Sequence, residues 1–175
     1  RYALVRRQSL ALTDGLEPED MTIQSMPDAS PTKWHLAHTS WFFETFILTP
    51  HDPAYRLFHP SFGFLFNSYY EAVGPRHPRP ERGMLSRPTA REVIEYRGHV
   101  DAAMAELLLG GVLEQVQSLI ELGLHHEQQH QELLVTDIKT VLARQYAMPV
   151  YRRSDAVPAG APNALGWRAF AGGLV

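Results

Sequence analysis

Residues 112–144, VLEQVQSLIELGLHHEQQHQELLVTDIKTVLAR, decide how the rest of the chain is read. The stretch has no proline and only Gly123 interrupts it, so it predicts one unusually long helix. Within it, His126 and His130 stand four residues apart. Positions i and i+4 share a helix face with Cβ atoms about 6 Å apart, so both imidazoles can reach one ion. A helix this long must be covered by others, and the third ligand that such a pair needs must come from one of them.

The sequence before it supplies those helices. Thr89 predicts a cap for a helix over 90–109, stopped by Gly110 and Gly111. Ser30 followed by Pro31 predicts a helix start, with a capping hydroxyl and then proline at the first helical position. That helix, over 30–48, is expected to end where Thr49, Pro50 and Pro53 break the pattern. Residues 2–13 predict a first helix, closed by Asp14 and Gly15. SFGFLFNSYYEAV (61–73) is expected to be helical in part, and GPRHPRPERGMLSRP (74–88) to be an irregular loop longer than a usual connector. Four substantial helices with no alternating strand pattern predict an all-α fold, a four-helix bundle over 1–145. From 146 onward the composition shifts to Pro, Gly and Ala, and reads as a linker.

Composition narrows the function classes. The 175 residues suffice for one well-buried domain; 45% are hydrophobic and 20% charged, as in soluble globular proteins. A net charge of −3 argues against nucleic acid as partner. There is no cysteine, so a metal site must use His, Asp, Glu or backbone oxygen. No run reaches the roughly eighteen apolar residues of a membrane helix, so a cytoplasmic protein without membrane partners is expected. The chain opens at Arg1 and stops at GWRAFAGGLV (166–175) without a polar finish, which reads as a fragment.

The best donor of a third ligand is the 30–48 helix, where Trp34, His38, Trp41 and Phe42 share one face that should point into the bundle. A single histidine on an apolar face is more often a hydrogen-bonded core residue. Two at i,i+4 and a third on another apolar face point instead to a metal. His35, about 60° around the helix from His38, is the rival third ligand. His51, His59, His77, His99 and His125, like His35 if it is not the ligand, are expected at the surface or in loops. His126–His130 also spells H-E-x-x-H, in which Glu127 would be the general base of a zinc protease. The metzincin continuation fails at Leu133, and no histidine follows His130. Three neutral imidazoles leave half an octahedron free, which suits iron(II), although zinc or nickel accepts the same ligands.

Four segments then carry a resemblance: SPTKWHLAHTSWFFETFIL (30–48), FNSYYEAVG (66–74), RPERGMLSRPT (79–89) and GLHHEQQHQELLVTDI (123–138). Together they resemble the helical, DinB-like N-terminal domain of non-haem iron sulfoxide synthases of ergothioneine biosynthesis, and of the related ovothiol enzymes. The resemblance implies Fe(2+) as cofactor, with His38, His126 and His130 as metal ligands. It implies oxidative coupling of a cysteine-type thiol, cysteine or γ-glutamylcysteine, to the imidazole of hercynine with dioxygen. Gln129 matches the position that hydrogen-bonds the substrate imidazole, against its plain reading as a solvent-facing glutamine. Among Arg76, Arg79, Arg82 and Arg87, the resemblance selects Arg79 and Arg82 to bind the thiol's carboxylate; the plain reading is a surface charge cluster. It also implies that 146–175 hold a linker and the first residues of a formylglycine-generating-enzyme-like C-terminal domain. The helical domain would contact that domain, which would carry a catalytic tyrosine, so no catalytic residue is assignable in 1–175. The competing reading is a DinB-like thiol S-transferase that uses zinc or nickel.

Overall fold

Which residues can be buried together dictates the order of the helices. A computed structural model describes residues 1–111, 114–152 and 166–173. Its helices are α1 (Tyr2–Ala11), α2 (Thr32–Phe43), α3 (Thr49–His51), α4 (Phe62–Leu65), α5 (Ala90–Leu109) and α6 (Glu114–Ala143). Among the described residues there is no strand. Helix α2 lies at the centre, packed against both α5 and α6, and α1 lies on α6. All 12 residues of α2 are buried, including Lys33, His35, His38, Thr39 and Ser40. A helix covered on every side has no polar face to show solvent, so each of these polar groups has to find a partner within the protein.

The cap and stop signals read from the sequence hold in part. Thr89 and Glu92 form a reciprocal capping box at the start of α5, and Gly111 leaves its end with φ +87°. The predicted start of the long helix at Val112 lies outside the described residues. Ser30 does not cap α2: Pro31 takes the cap position without a side-chain hydrogen bond. The Ser30 hydroxyl instead accepts from Arg82, and its N–H donates to Asp137. The predicted stop within 49–53 holds, at His51, but the helix reaches it three residues beyond Leu48, because α2 runs through a π-helical turn, Glu44–Leu48, into α3. There the Thr49 N–H reaches back to the carbonyl of Glu44, five residues away. The wider turn lets Pro50, which has no N–H to donate, ride in the helix instead of breaking it. The expected loop 74–88 holds a 3-10 helix, Arg79–Met84. It is pinned by Gln24, which accepts from the Gly83 N–H and donates to the carbonyls of Arg79 and Ala29. Beyond α6, Tyr151 donates its hydroxyl back to the Leu12 carbonyl. Residues 166–173 are exposed and form no strand, and 153–165 lie outside the described residues.

A buried ionic cluster holds the bundle's other side. The Glu127 carboxylate of α6 accepts from Arg6 at 3.0 Å, Arg97 at 2.7 Å and Ser9 at 2.5 Å. Arg6 also donates to Asp101 and Ser40, and Arg97 to Thr39 and the Leu36 carbonyl. Two guanidiniums thus face two carboxylates, and α1, α2, α5 and α6 all contribute. Burial pushes the Glu127 carboxyl up, but Arg6 and Arg97 outweigh it and hold it at about 2. Removing one partner of such a cluster strands the others without solvent. Glu127→Ala should therefore destabilise the fold by about 3–5 kcal/mol. Chemical denaturation of the metal-free chain checks this, and a loss under 1 kcal/mol would show that the cluster contributes little.

Candidate metal centre

Helices α2 and α6 bring His38, His126 and His130 together, with one potential ligand atom from each within 4.8 Å of the others. No other such group of histidines or carboxylates occurs among the described residues. Close approach of the two helices depends on Gly123. A Cβ there would meet the rings of Phe42 and Phe43 at 2.9 and 2.8 Å, nearer than packed carbons come. The one residue that interrupts the long helix in sequence is therefore what lets α6 lie against α2, three residues before His126.

Each ring is held differently. His38 is stacked between Trp34 and Trp41, at centroid distances of 4.6 and 5.4 Å with 15° between planes. Its Nδ1–H donates to the Phe66 carbonyl at 2.6 Å. A carbonyl only accepts, so the Nε2 of His38 carries the lone pair. Nδ1 of His130 lies 2.9 Å from Nδ1 of His35. Nδ1 of His126 is buried and has no hydrogen-bond partner among the described residues. An imidazole nitrogen left free beside two other histidines is open to an ion. Burial lowers all three imidazoles below their ordinary pKa, His126 to about 4, and for His38 and His130 the neighbouring histidines add to the effect. Metal ligation needs neutral imidazoles, and this environment supplies them. The donor set fits iron(II), zinc or nickel.

The expectation that His35 lies at the surface fails. His35 is buried, with its Nε2 3.0 Å from the Asp137 carboxylate, because α2 has no exposed face on which to place it. It lines the same cavity and pairs with His130, but it is not one of the three histidines whose ligand atoms gather. His51, His59 and His125 are exposed, while His77 and His99 are half-buried. Glu127 does not serve the H-E-x-x-H reading. Both of its oxygens are taken by Arg6, Arg97 and Ser9. A protease base has to reach metal-bound water, and this carboxylate is committed to the bundle.

The histidines line a cavity of about 330 Å³. Arg79 and Arg82 also line it, with Ser68, Tyr69 and Tyr70 from the 66–74 segment and Gln129 from α6. Arg82 is buried, with its guanidinium 3.3 Å from the Trp34 ring centroid and hydrogen bonds to Ser30 and Ser68. Burial, and then the charge of Arg79, pull its pKa down to about 9. Arg79 donates to the Tyr69 hydroxyl and the Asp28 carbonyl. Arg76 instead donates to the Ser68 carbonyl, and exposed Arg87 to that of Ser86, so the arginine-rich loop divides between cavity and surface. The sequence marked Ser30 only as a helix cap, and did not mark Ser68 or Tyr70, which sit outside any periodic pattern. His35 could have been found from the absence of a polar face on α2.

His38→Ala, His126→Ala and His130→Ala are each expected to abolish stoichiometric metal binding, while His125→Ala keeps it. Metal content of the purified chains after iron(II) loading decides this. Full occupancy in any of the first three would remove that residue from the ligand set.

No curated protein matches the chain. The family model described as DinB superfamily matches residues 1–134, a span that includes α1, α2, α5 and all three convergent histidines. The chain belongs to the DinB superfamily.

Proposed function

We propose that this chain is the metal-binding part of an iron(II)- and oxygen-dependent sulfoxide synthase that couples a cysteine-type thiol to the imidazole of hercynine. The observation that carries the reading is one cavity lined by His38, His126 and His130 together with Arg79 and Arg82. When bound, iron(II) supplies open coordination positions for thiol and dioxygen and the redox chemistry that C–S bond formation needs. The chain's own residues bind and orient. Arg79 and Arg82 hold the carboxylate of the thiol substrate through charge-assisted contacts. Stacking on Trp34 fixes the Arg82 guanidinium, and with a pKa near 9 it remains a cation at neutral pH. Gln129, on the same α6 face as the metal histidines and exposed at the cavity, offers its amide to the second substrate's imidazole. Trp34, His38 and Trp41 form a stacked aromatic wall that keeps water from the buried side. The reading includes a formylglycine-generating-enzyme-like C-terminal domain, begun by 166–175, which contacts the helical domain and brings the catalytic tyrosine, in a protein of the cytoplasm.

The test uses the protein carrying that C-terminal domain, purified without oxygen. Iron should be the bound metal, and hercynine, thiol and dioxygen should give the sulfoxide-linked product. Arg79→Ala and Arg82→Lys should raise KM for the thiol about ten- to a hundred-fold with iron retained, since a hydrogen bond to a charged group contributes roughly 1.5–3 kcal/mol. Zinc or nickel in place of iron, with thiol transfer to an electrophile in the absence of oxygen, would overturn the reading in favour of a thiol S-transferase. Peptide cleavage by the zinc-loaded protein that vanishes in Glu127→Gln would overturn it in favour of a protease.

A further inference from the structure

We infer that His35 and Asp137 act as a positioning pair that fixes the tautomer and ring orientation of His130, so that its Nε2 faces the metal. The inference rests on the reading of His38, His126 and His130 as a metal triad. It follows from a chain of hydrogen bonds in which each proton dictates the next. The Asp137 carboxylate oxygen that accepts from the Ser30 N–H at 2.9 Å lies 3.0 Å from Nε2 of His35. A carboxylate only accepts, so His35 carries its proton on Nε2. Nδ1 of His130 is taken up by His35, so Nε2 is the nitrogen left to a metal. A ligating Nε2 needs its lone pair, which puts the His130 proton on Nδ1 and leaves no room for a second one on Nδ1 of His35. Nδ1 of His35 is therefore a lone pair. That lone pair lies 2.9 Å from Nδ1 of His130, and a contact this short between two ring nitrogens needs a proton. His130 has to supply it. His130 is thus Nδ1-protonated, and its Nε2 keeps the lone pair that a metal requires.

The alternative order fails at the carboxylate. If His35 gave its proton to His130 from Nδ1, its Nε2 lone pair would face the Asp137 oxygen at 3.0 Å, two acceptors in contact in a buried place. His38 is oriented the same way by the Phe66 carbonyl. The pair is therefore more than a link between α2 and α6. It gives His130 a basic, oriented ring, as hydrogen bonds behind metal-bound histidines commonly do.

The test measures zinc affinity of the 175-residue chain by competition with a chromophoric chelator, using zinc alone, with circular dichroism as the check on folding. His35→Phe keeps a ring in place and removes the acceptor for His130, and should weaken zinc binding about 10- to 100-fold. Asp137→Ala should shift affinity in the same direction. His35→Asn places an amide oxygen near the position of the lost Nδ1 and should recover most of the affinity. Long-range proton–nitrogen NMR of the zinc-loaded chain should show His130 protonated at Nδ1 in the natural chain and in His35→Asn. Unchanged affinity in both His35→Phe and Asp137→Ala, while His38→Ala loses zinc, would overturn the positioning role and leave the triad standing. Equal weakening in His35→Phe and His35→Asn would overturn it as well, because it marks a packing effect. Wild-type affinity in His38→Ala would instead overturn the triad itself. If His35→Phe does not fold, Asp137→Ala and the NMR signature of His130 decide alone.

Discussion

The constraint on which the rest of the structure hangs is the commitment of Glu127 to Arg6 and Arg97. Successive residues on a helix point about 100° apart. Anchoring Glu127 to the guanidiniums of α1 and α5 therefore sets the rotation of α6 about its own axis, and with it the direction of His126 one residue earlier. His130, one turn on, follows. The cluster also contains Ser40 and Thr39 of α2, so the helix that carries His38 is gripped by the same guanidiniums. One buried charge network thus fixes the relative placement of all three imidazoles.

A second constraint is the burial of α2 on every side. An ordinary amphipathic helix leaves its polar residues to water, and this one cannot. Lys33 donates to the carbonyls of Leu85 and Pro88 and so closes the arginine-bearing loop over the start of the helix. His38 turns to the Phe66 carbonyl and draws in the segment that carries Ser68 and Tyr70. Satisfying each buried polar group of α2 therefore assembles the cavity wall by wall. Ser30 joins two of these walls, with its N–H on Asp137 and its hydroxyl receiving Arg82.

Much of this was legible in the sequence, for reasons that particular residues make plain. The four helices follow from local signals, such as the Thr89–Glu92 cap and the Gly110-Gly111 stop, that act within a few residues. His126 and His130 were legible because helical spacing alone places them side by side. His38 was legible because Trp34, Trp41 and Phe42 mark its face. What escaped the sequence depends on partners far along the chain. Ser30 looks like a cap until Arg82 and Asp137 claim it. The helix begun by α2 reaches His51 through the π-turn at Glu44–Leu48, which no cap or stop residue marks. His35 reads as solvent-facing unless α2 is known to be covered on all sides. Glu127 reads as a protease base in its own five residues, and only Arg6 and Arg97, 121 and 30 residues away, make it structural.

The electrostatics of the cavity bear on what it can admit. Its lining contains two arginines, four histidines and no carboxylate. In a site that binds a divalent ion through two histidines and an acid, the acid offsets part of the ion's charge. Here neutral imidazoles offset none of it, and the carboxylates near the triad are committed elsewhere, Glu127 to Arg6 and Arg97 and Asp137 to His35 and the Ser30 N–H. A divalent cation held by His38, His126 and His130 would therefore add its full charge to those of Arg79 and Arg82. A neutral ligand gains little from such a field. A ligand that brings its own negative charges, a carboxylate for the arginines and a donor that ionises at the metal, neutralises both ends of the cavity at once. The same reasoning orders the two events. Until the ion is present, only the arginine end attracts anions, so the metal-loaded site is the one that discriminates between a simple carboxylate and a ligand with a second anionic group.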